Sequence, residues 1–428
     1  MYLALSVVSP LVTQTGLSVG AAKKKQSEPH ALLADVSAAV LQEKLMPSSN
    51  LLSRIGVPQV ASLLLLLIFV LQCVWFMAHV PLSAMEGSFV EAGLLHLERL
   101  SNASSTERYA LVPLLAGVAA RLSGAENKIV RLGDHRFAIR LPFMCAGFLL
   151  GVSLWYVARR LYGNVGGYIA LGLFCFSPVI IGWSSQVGPG IVAAWGAFGL
   201  VFTAAAVAHT ISSPSQPFVW NWRRILLMGL SIAMCIGAQF SLWILLLPAL
   251  GFMLWVAHLR RGAAIAIFAA ACGTGLLLLW AVYSFRTVAF ARALSNAEWL
   301  EVSGGGVSRQ AIPLLFETFF LQNGIGLLLL LVVTLVTFLV WKRARFFGTA
   351  APLITGALLF ASAARMHFAG QTFLLVGLPF LILFMAGVSA DLLESHYALA
   401  ANAVIGGVLI ANAIIDVYGL LHLTSRSR

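Results

Sequence analysis

The sequence predicts an all-α fold, a polytopic transmembrane helix bundle of about eleven spans with surface helices in the first outer loop. Two observations carry this. Of 428 residues, 60% are hydrophobic and 10% charged, where a soluble domain carries roughly 25% charged residues; mean hydropathy is +0.93. Apolar runs of about twenty residues, the length that crosses hydrocarbon as a helix, recur along the chain. The shorter alternating segments of a membrane β-barrel do not occur.

The formal charge of +12 sits in short basic clusters at the ends of apolar runs. That pattern orients spans against the cytoplasmic face, and it removes nucleic acid as a partner class. Cys73, Cys145, Cys175, Cys235 and Cys272 all fall inside apolar runs without ligand spacing, so they read as small core residues.

Residues 1–57 are predicted to be a cytoplasmic N-terminal extension, and 58–428 the membrane domain. Lys23, Lys24 and Lys25 follow the apolar start rather than precede it, the wrong order for a cleaved signal peptide. From Ser27, an amphipathic helix carries Leu33, Val36, Val40 and Leu45 on one stripe, to be held against lipid or a partner protein. The spans follow as Pro58–Met77, Phe137–Ala158, Gly166–Trp183, Ile191–His209, Ile225–Phe240, Leu242–His258 and Ala263–Tyr283. After a second polar loop come Gly324–Trp341, Gly348–Ala364, Phe373–Ala390 and Ala398–Leu420.

With the N-terminus inside, the loops holding Arg159 and Arg160, Arg223 and Arg224, Arg260 and Arg261, and Lys342, Arg343 and Arg345 all fall on the cytoplasmic side. The two long loops and the pair Arg365 and His367 then lie outside, as does the C-terminus. Tyr109–Leu122 is too short to cross, and a span there would invert every later loop; it and Glu86–Leu100 are expected as surface helices. The compartment this implies is a bacterial inner membrane.

The first outer loop, His79 to Arg136, holds Glu86, Glu91, Glu98, Glu107, Glu126 and Asp134, six of the fifteen acids in the chain. Acids are costly near hydrocarbon, so this loop is the wet and chemically capable part. Glu86 and Glu91, just after the first span, are the candidate general bases; a solvated acid at a helix start is the alternative. Arg140, Arg365 and His367 are the candidate phosphate-binding cations, with Arg286, Arg292 and Arg309 behind them. Ordinary snorkelling at a span end is the alternative for each. No Gly-rich phosphate loop, metal motif or Cys/His cluster is present, and no clear ligand set assigns a cofactor, a divalent cation included.

Met85-Glu86-Gly87-Ser88-Phe89-Val90-Glu91-Ala92 resembles the acidic first loop of the GT-C class of membrane glycosyltransferases, the group of aminoarabinose and protein mannosyl transferases. Phe137–Pro142 and Ala158–Gly163 resemble the ends of that class's second span. Phe176-Ser177-Pro178 and Gly188-Pro189-Gly190 stand where its third span ends and its fourth begins, and Arg365, His367 and Leu374–Pro379 resemble its late donor-cavity segment. The resemblance covers Pro58 to Ala390. It implies transfer of a sugar from a polyprenyl-phosphate carrier at the outer face, with a first-loop acid as base. In this sequence Met85 stands at the catalytic aspartate's place, and Gly190 replaces the acid usual after Pro189.

Two functions follow. One is an active transferase using Glu86, with Glu91, against Arg140 and Arg365 or His367. The other is a silent relative serving as scaffold or accessory subunit of a larger membrane complex with protein partners. A transporter ranks lower, since no internal repeat or paired broken helices are visible.

Overall fold

In the computed structural model the described residues are 57–98, 111–124, 135–212, 222–295, 325–341, 347–363, 370–395 and 398–426. The predicted N-terminal amphipathic helix, Glu107, Glu126, Asp134, Arg309, Arg365 and His367 lie outside them. The chain divides into Met1–Leu63, of which only the first turns of one helix are described, and Leu64–Arg428, which holds everything else.

Among the described residues every regular element is helical. They are α1 Val57–His79, α2 Ala84–Leu97, α3 Leu111–Leu122, α4 Arg136–Cys175, α5 Pro178–Ser184, α6 Pro189–Ser212 and α7 Trp222–Ala238. A 3-10 turn, Phe240–Leu245, leads into α8 Leu246–Val256, α9 Arg261–Val282, α10 Thr287–Ser295, α11 Ile325–Val340, α12 Phe347–Ala363, α13 Gly370–Leu393 and α14 Ala398–Arg426. The predicted spans fall largely on helical backbone, but Gly166–Trp183 is broken at Phe176 and Ser177 and Ile225–Phe240 at Gln239, while Gly324 and Ala364 lie outside the described residues. By length and apolarity, 6 of the described helices suffice to cross a membrane: α1, α4, α6, α9, α13 and α14.

The bundle is organised around α13. Every residue from Thr372 to Ala390 is buried, as expected of a helix that is apolar all round, and α4, α6, α11, α12 and α14 pack on it. α1 is two-faced: Leu66, Phe69, Cys73 and Met77 are buried, while Leu64, Leu67, Leu71 and Trp75 are exposed. In a membrane the exposed stripe meets lipid.

α4 is a hairpin rather than one rod. Its two arms, predicted as separate spans, reverse at Gly163, where φ is 75° and ψ −173°. A Cβ on Gly151 of the first arm would lie 2.8 Å from the Phe174 ring of the second. Only glycine occupies that backbone region without strain. Gly163→Ala, and Gly163→Asn equally, is therefore expected to lower stability by about 1–3 kcal/mol in thermal unfolding of the detergent-solubilised protein, although the space around it is open.

Close helix approaches use small residues, as is usual where no water drives packing. A Cβ on Gly196 of α6 would sit 2.4 Å from the Cys235 amide nitrogen of α7. At the other end of α9, Ser284 and Phe285 both take positive φ, 54° and 58°, which turns the chain sharply into α10.

Candidate functional site

α2 begins with Ser83, and the sequence Ser83-x-x-Glu86 forms a capping box. Ser83 Oγ accepts from the Glu86 N–H at 3.2 Å and Glu86 Oε2 accepts from the Ser83 N–H at 2.8 Å. That fixes the Glu86 carboxylate on the inner side of the helix, where the side chain is nearly inaccessible, at 3% exposure.

Arg140 enters from the first turns of α4 and is fully buried. Its Nε donates to Glu86 Oε1 at 2.8 Å and its Nη2 to Glu86 Oε2 at 2.7 Å, the parallel two-bond geometry in which arginine grips a carboxylate. The rest of the guanidinium donates to the Val80 and Pro81 carbonyls at 2.8 and 2.9 Å. These are the two residues just beyond α1 and ahead of α2, whose carbonyls no helix uses. Glu86 Oε1 also accepts from the Val187 N–H at 2.9 Å, in the link between α5 and α6.

Each Glu86 oxygen thus accepts two hydrogen bonds, which fills the acceptor capacity of a carboxylate. Burial alone would raise its pKa; the bonds from Arg140, Ser83 and Val187 outweigh burial and hold it below the usual carboxylate value. A base with no open lone pair cannot collect a proton without first breaking one of these bonds, and Arg140, four of its five N–H groups committed, has little left for a phosphate.

The structure brings Glu86 and Arg140 together but leaves Glu91 apart. Ala84, Met85, Ser88, Glu91 and Glu98 are exposed on α2, whereas Glu86, Val90, Gly93 and Leu94 are buried. Glu91 faces away from the Glu86 and Arg140 pair. Met85, 65% exposed, stands where the resemblance places an acid.

Two features were not anticipated. His96, at the far end of α2, has Nε2 3.0 Å from the Val282 carbonyl at the end of α9. Deep in the bundle, Asp416 of α14 accepts from Gln72 Nε2 of α1 at 2.7 Å, with both residues buried. A lone acid and a lone glutamine in apolar runs were the available signal.

The arginine pairs lie at the opposite end of the bundle. Arg140 and Arg159 stand on one arm of α4, nineteen residues apart, or about 28 Å at helical rise, which is close to the hydrocarbon thickness. The ends of α6 and α8 and the starts of α7 and α9 meet there: Arg224 bonds Thr210, Arg260 Nη1 reaches the Ile211 carbonyl, and Ser212 Oγ the Val256 carbonyl. The carboxylate-bearing roof and the arginine pairs therefore occupy separate ends. Among the described residues, no group of three or more His, Cys, Asp or Glu side chains is placed to hold a metal ion.

At the level of fold, this helical architecture is that of the GT-C class of membrane glycosyltransferases. The family model of dolichyl-phosphate-mannose-protein mannosyltransferases matches residues 127–285. Among solved structures, the oligosaccharyltransferase AglB of Archaeoglobus fulgidus, in complex with an inhibitory peptide and a dolichol-phosphate, is similar at TM-score 0.52 and 12% identity, over 86% of this chain and 56% of that one. ArnT of Cupriavidus metallidurans, in the apo state, is similar at TM-score 0.52 and 14% identity, over 85% of this chain and 76% of its own. The chain thus spans little more than half the length of the archaeal enzyme. No curated protein sequence matches.

Proposed function

We propose that this chain is a GT-C-fold membrane protein that serves as a scaffold or accessory subunit and does no sugar transfer through its first loop. The observation that supports this reading is the fully engaged Glu86 carboxylate beside an exposed Met85. The first-loop residues that remain well placed work architecturally: Glu86 and Arg140 tie α2 to α4, to the end of α1 and to the link before α6. The roof faces the exoplasmic side, with the arginine pairs inside, on the positive-inside rule. Its lipid environment includes the polyprenyl-phosphate carriers that such a fold accommodates, with the carrier phosphate met by Arg365 and His367.

The exposed Glu91 favours a second reading, an active transferase in which that carboxylate, free of the Arg140 pair, takes the acceptor's proton. One experiment separates the two. Purified wild type and Glu91→Gln are incubated with polyprenyl-phosphate-linked sugars, and sugar release or transfer is followed by mass spectrometry. The scaffold reading expects no turnover from either and the recovery of other subunits when the chain is extracted in mild detergent. Wild-type turnover lost in Glu91→Gln would establish the enzyme instead. Met85→Asp, at an exposed first-turn position where an acid suits the helix dipole, should leave stability within about 0.5 kcal/mol of wild type and so offers a clean test of whether a restored acid revives turnover.

A further inference from the structure

Asp416 is the only acid of α14, and it is buried, at 2% exposure. Its hydrogen bond comes from a neutral group: Gln72 of α1, itself 8% exposed, donates from Nε2 to Asp416 Oδ2 at 2.7 Å. The other polar atom of that amide, Gln72 Oε1, is buried and has no hydrogen-bond partner among the described residues. A buried carboxyl group held by one amide, beside a buried carbonyl held by nothing, is an incomplete network.

The surrounding helices offer no cation to complete it. From Leu64 to His79, α1 has no lysine or arginine, and neither α11 nor α13 has one. On α14 itself the first arginine is Arg426, about 15 Å further along the helix. α4, which also packs on α14, carries Arg136 and Arg140 in its first turns and Arg159 and Arg160 before its reversal, and its other titratable groups are thiols and phenols. Arg140 is committed to Glu86. Asp391 lies in the last turn of α13, next to the start of α14 and so far from Asp416. The titratable side chain that does interact with Asp416 is Cys73, the neighbour of Gln72 on α1; His79, about two turns further on, lies against Trp75.

We infer that Asp416 is a proton-binding site within the bundle, its O–H donating to Gln72 Oε1 and closing a two-bond acid–amide ring that clasps α14 to α1. One proton supplies both things the pair lacks. It removes the charge that an apolar interior disfavours, and it provides the donor that the lone carbonyl needs. The backbone need not move. The two polar atoms of an amide share one carbon, as do those of a carboxyl group, so with Nε2 already 2.7 Å from Oδ2 rotation about the broad terminal torsions sets Oε1 against Oδ1. The clasp bears on α14 in particular, because that helix buries only Ala401, Ile405, Asn412 and Asp416 among its described residues.

The test uses the full chain in detergent, labelled in the carboxyl groups of its aspartates and read by infrared spectroscopy at neutral pH. The sequence has four aspartates, Asp35, Asp134, Asp391 and Asp416. Wild type is expected to show the isotope-shifted C=O stretch of a protonated, hydrogen-bonded carboxyl group, lost in Asp416→Asn and kept in Asp35→Asn/Asp134→Asn/Asp391→Asn. Asparagine offers the same acceptor and donor as the neutral acid, so Asp416→Asn should unfold at the wild-type temperature. Asp416→Leu, which strands both ends of the Gln72 amide, should unfold roughly 2–5 °C lower. Should Asp416→Asn not yield folded protein, the triple variant decides, since only Asp416 can give the band there. Absence of the band from wild type, or Asp416→Asn unfolding as early as Asp416→Leu, would overturn the inference. The rival occupant is a sodium ion held by ionised Asp416 with the unpartnered amide oxygens of Gln72 and Asn412. An unfolding temperature that rises with sodium chloride over choline chloride in wild type, and not in Asp416→Asn, would establish that site and defeat the proton.

Discussion

Glu86→Ala is expected to lose about 3–5 kcal/mol of stability, the range for removing one partner of a buried ion pair. The cost lies less in the lost attraction than in what is left behind: a guanidinium at 0% exposure without its counter-charge, and the Ser83 and Val187 N–H groups without an acceptor. Glu86→Gln should also destabilise, because all four groups facing the carboxylate are donors and a glutamine amide turns an NH₂ toward two of them. Arg140→Met should cost a similar amount for the mirror reason. Glu86→Ala/Arg140→Met should cost clearly less than the two singles added together, since the orphaned charge disappears. It should not return to wild type, because the Val80 and Pro81 carbonyls and two backbone N–H groups remain unpaired. Thermal unfolding in detergent measures all of these. A Glu86→Ala protein within 1 kcal/mol of wild type would remove the staple from the account of the fold.

The same pair sets a pH dependence. Glu86 has its folded pKa depressed, so its contribution is complete above the ordinary glutamate value of about 4.3 and is lost as pH falls through the lower folded value. Hydrogen exchange in α2 should therefore rise in acid below about pH 4, and in Arg140→Met that acid transition should be weakened.

Much of the fold was legible because hydropathy is a local property. Runs such as Leu63–Leu71 and Phe373–Ala390 announce themselves within about twenty residues, and the basic clusters order them. The site was legible in its residue types and not in its pairing. Glu86 and Arg140 stand out as an acid and a base beside apolar runs, yet they meet across 54 positions, and Val187 joins them across 101. Four of the six bonds that fix their role involve backbone N–H or C=O groups, which no pattern of side chains can show. The capping box was present in the letters Ser83-x-x-Glu86 and would have placed Glu86 at a helix start with its carboxylate turned back on the backbone. Glu91 reads from its letter as the same kind of acid; the helix phase separates them, one facing the bundle and one facing away. The two arms of α4 were predicted as separate spans, Phe137–Ala158 and Gly166–Trp183, the second of which the structure divides between α4 and α5. What hydropathy did not show is the way they join, which rests on Gly163 alone.

Gly93→Ala should destabilise by about 3 kcal/mol, at the upper end for overpacking, whereas Gly87→Ala in the same helix should stabilise by about 0.5–1 kcal/mol. A Cβ on Gly93 would lie 1.9 Å from the Pro113 carbonyl oxygen and 2.8 Å from the Gly117 nitrogen, both backbone atoms of α3 that no rotamer change can move. Gly117 meets Gly93 in return, its own Cβ falling 2.4 Å from the Gly93 carbonyl carbon. The two helices touch backbone to backbone, so an added methyl requires them to separate by more than an ångström. They have little freedom to do so. α2 is held at one end by Glu86 and at the other by His96 against Val282, while α3 packs on α7, where Leu111 lies against Gly237. Separation would instead open the packing of Val90, Val112 and Ala116, each at 0% exposure. Gly87, with nothing within 4 Å of its Cβ position, has only the entropy of glycine to lose. Opposite signs for the two alanines in thermal unfolding would show that the roof is a fixed plate set on the bundle; equal and small effects would mean that α3 slides on α2 and that the anchoring argued from Glu86 does not extend along the helix.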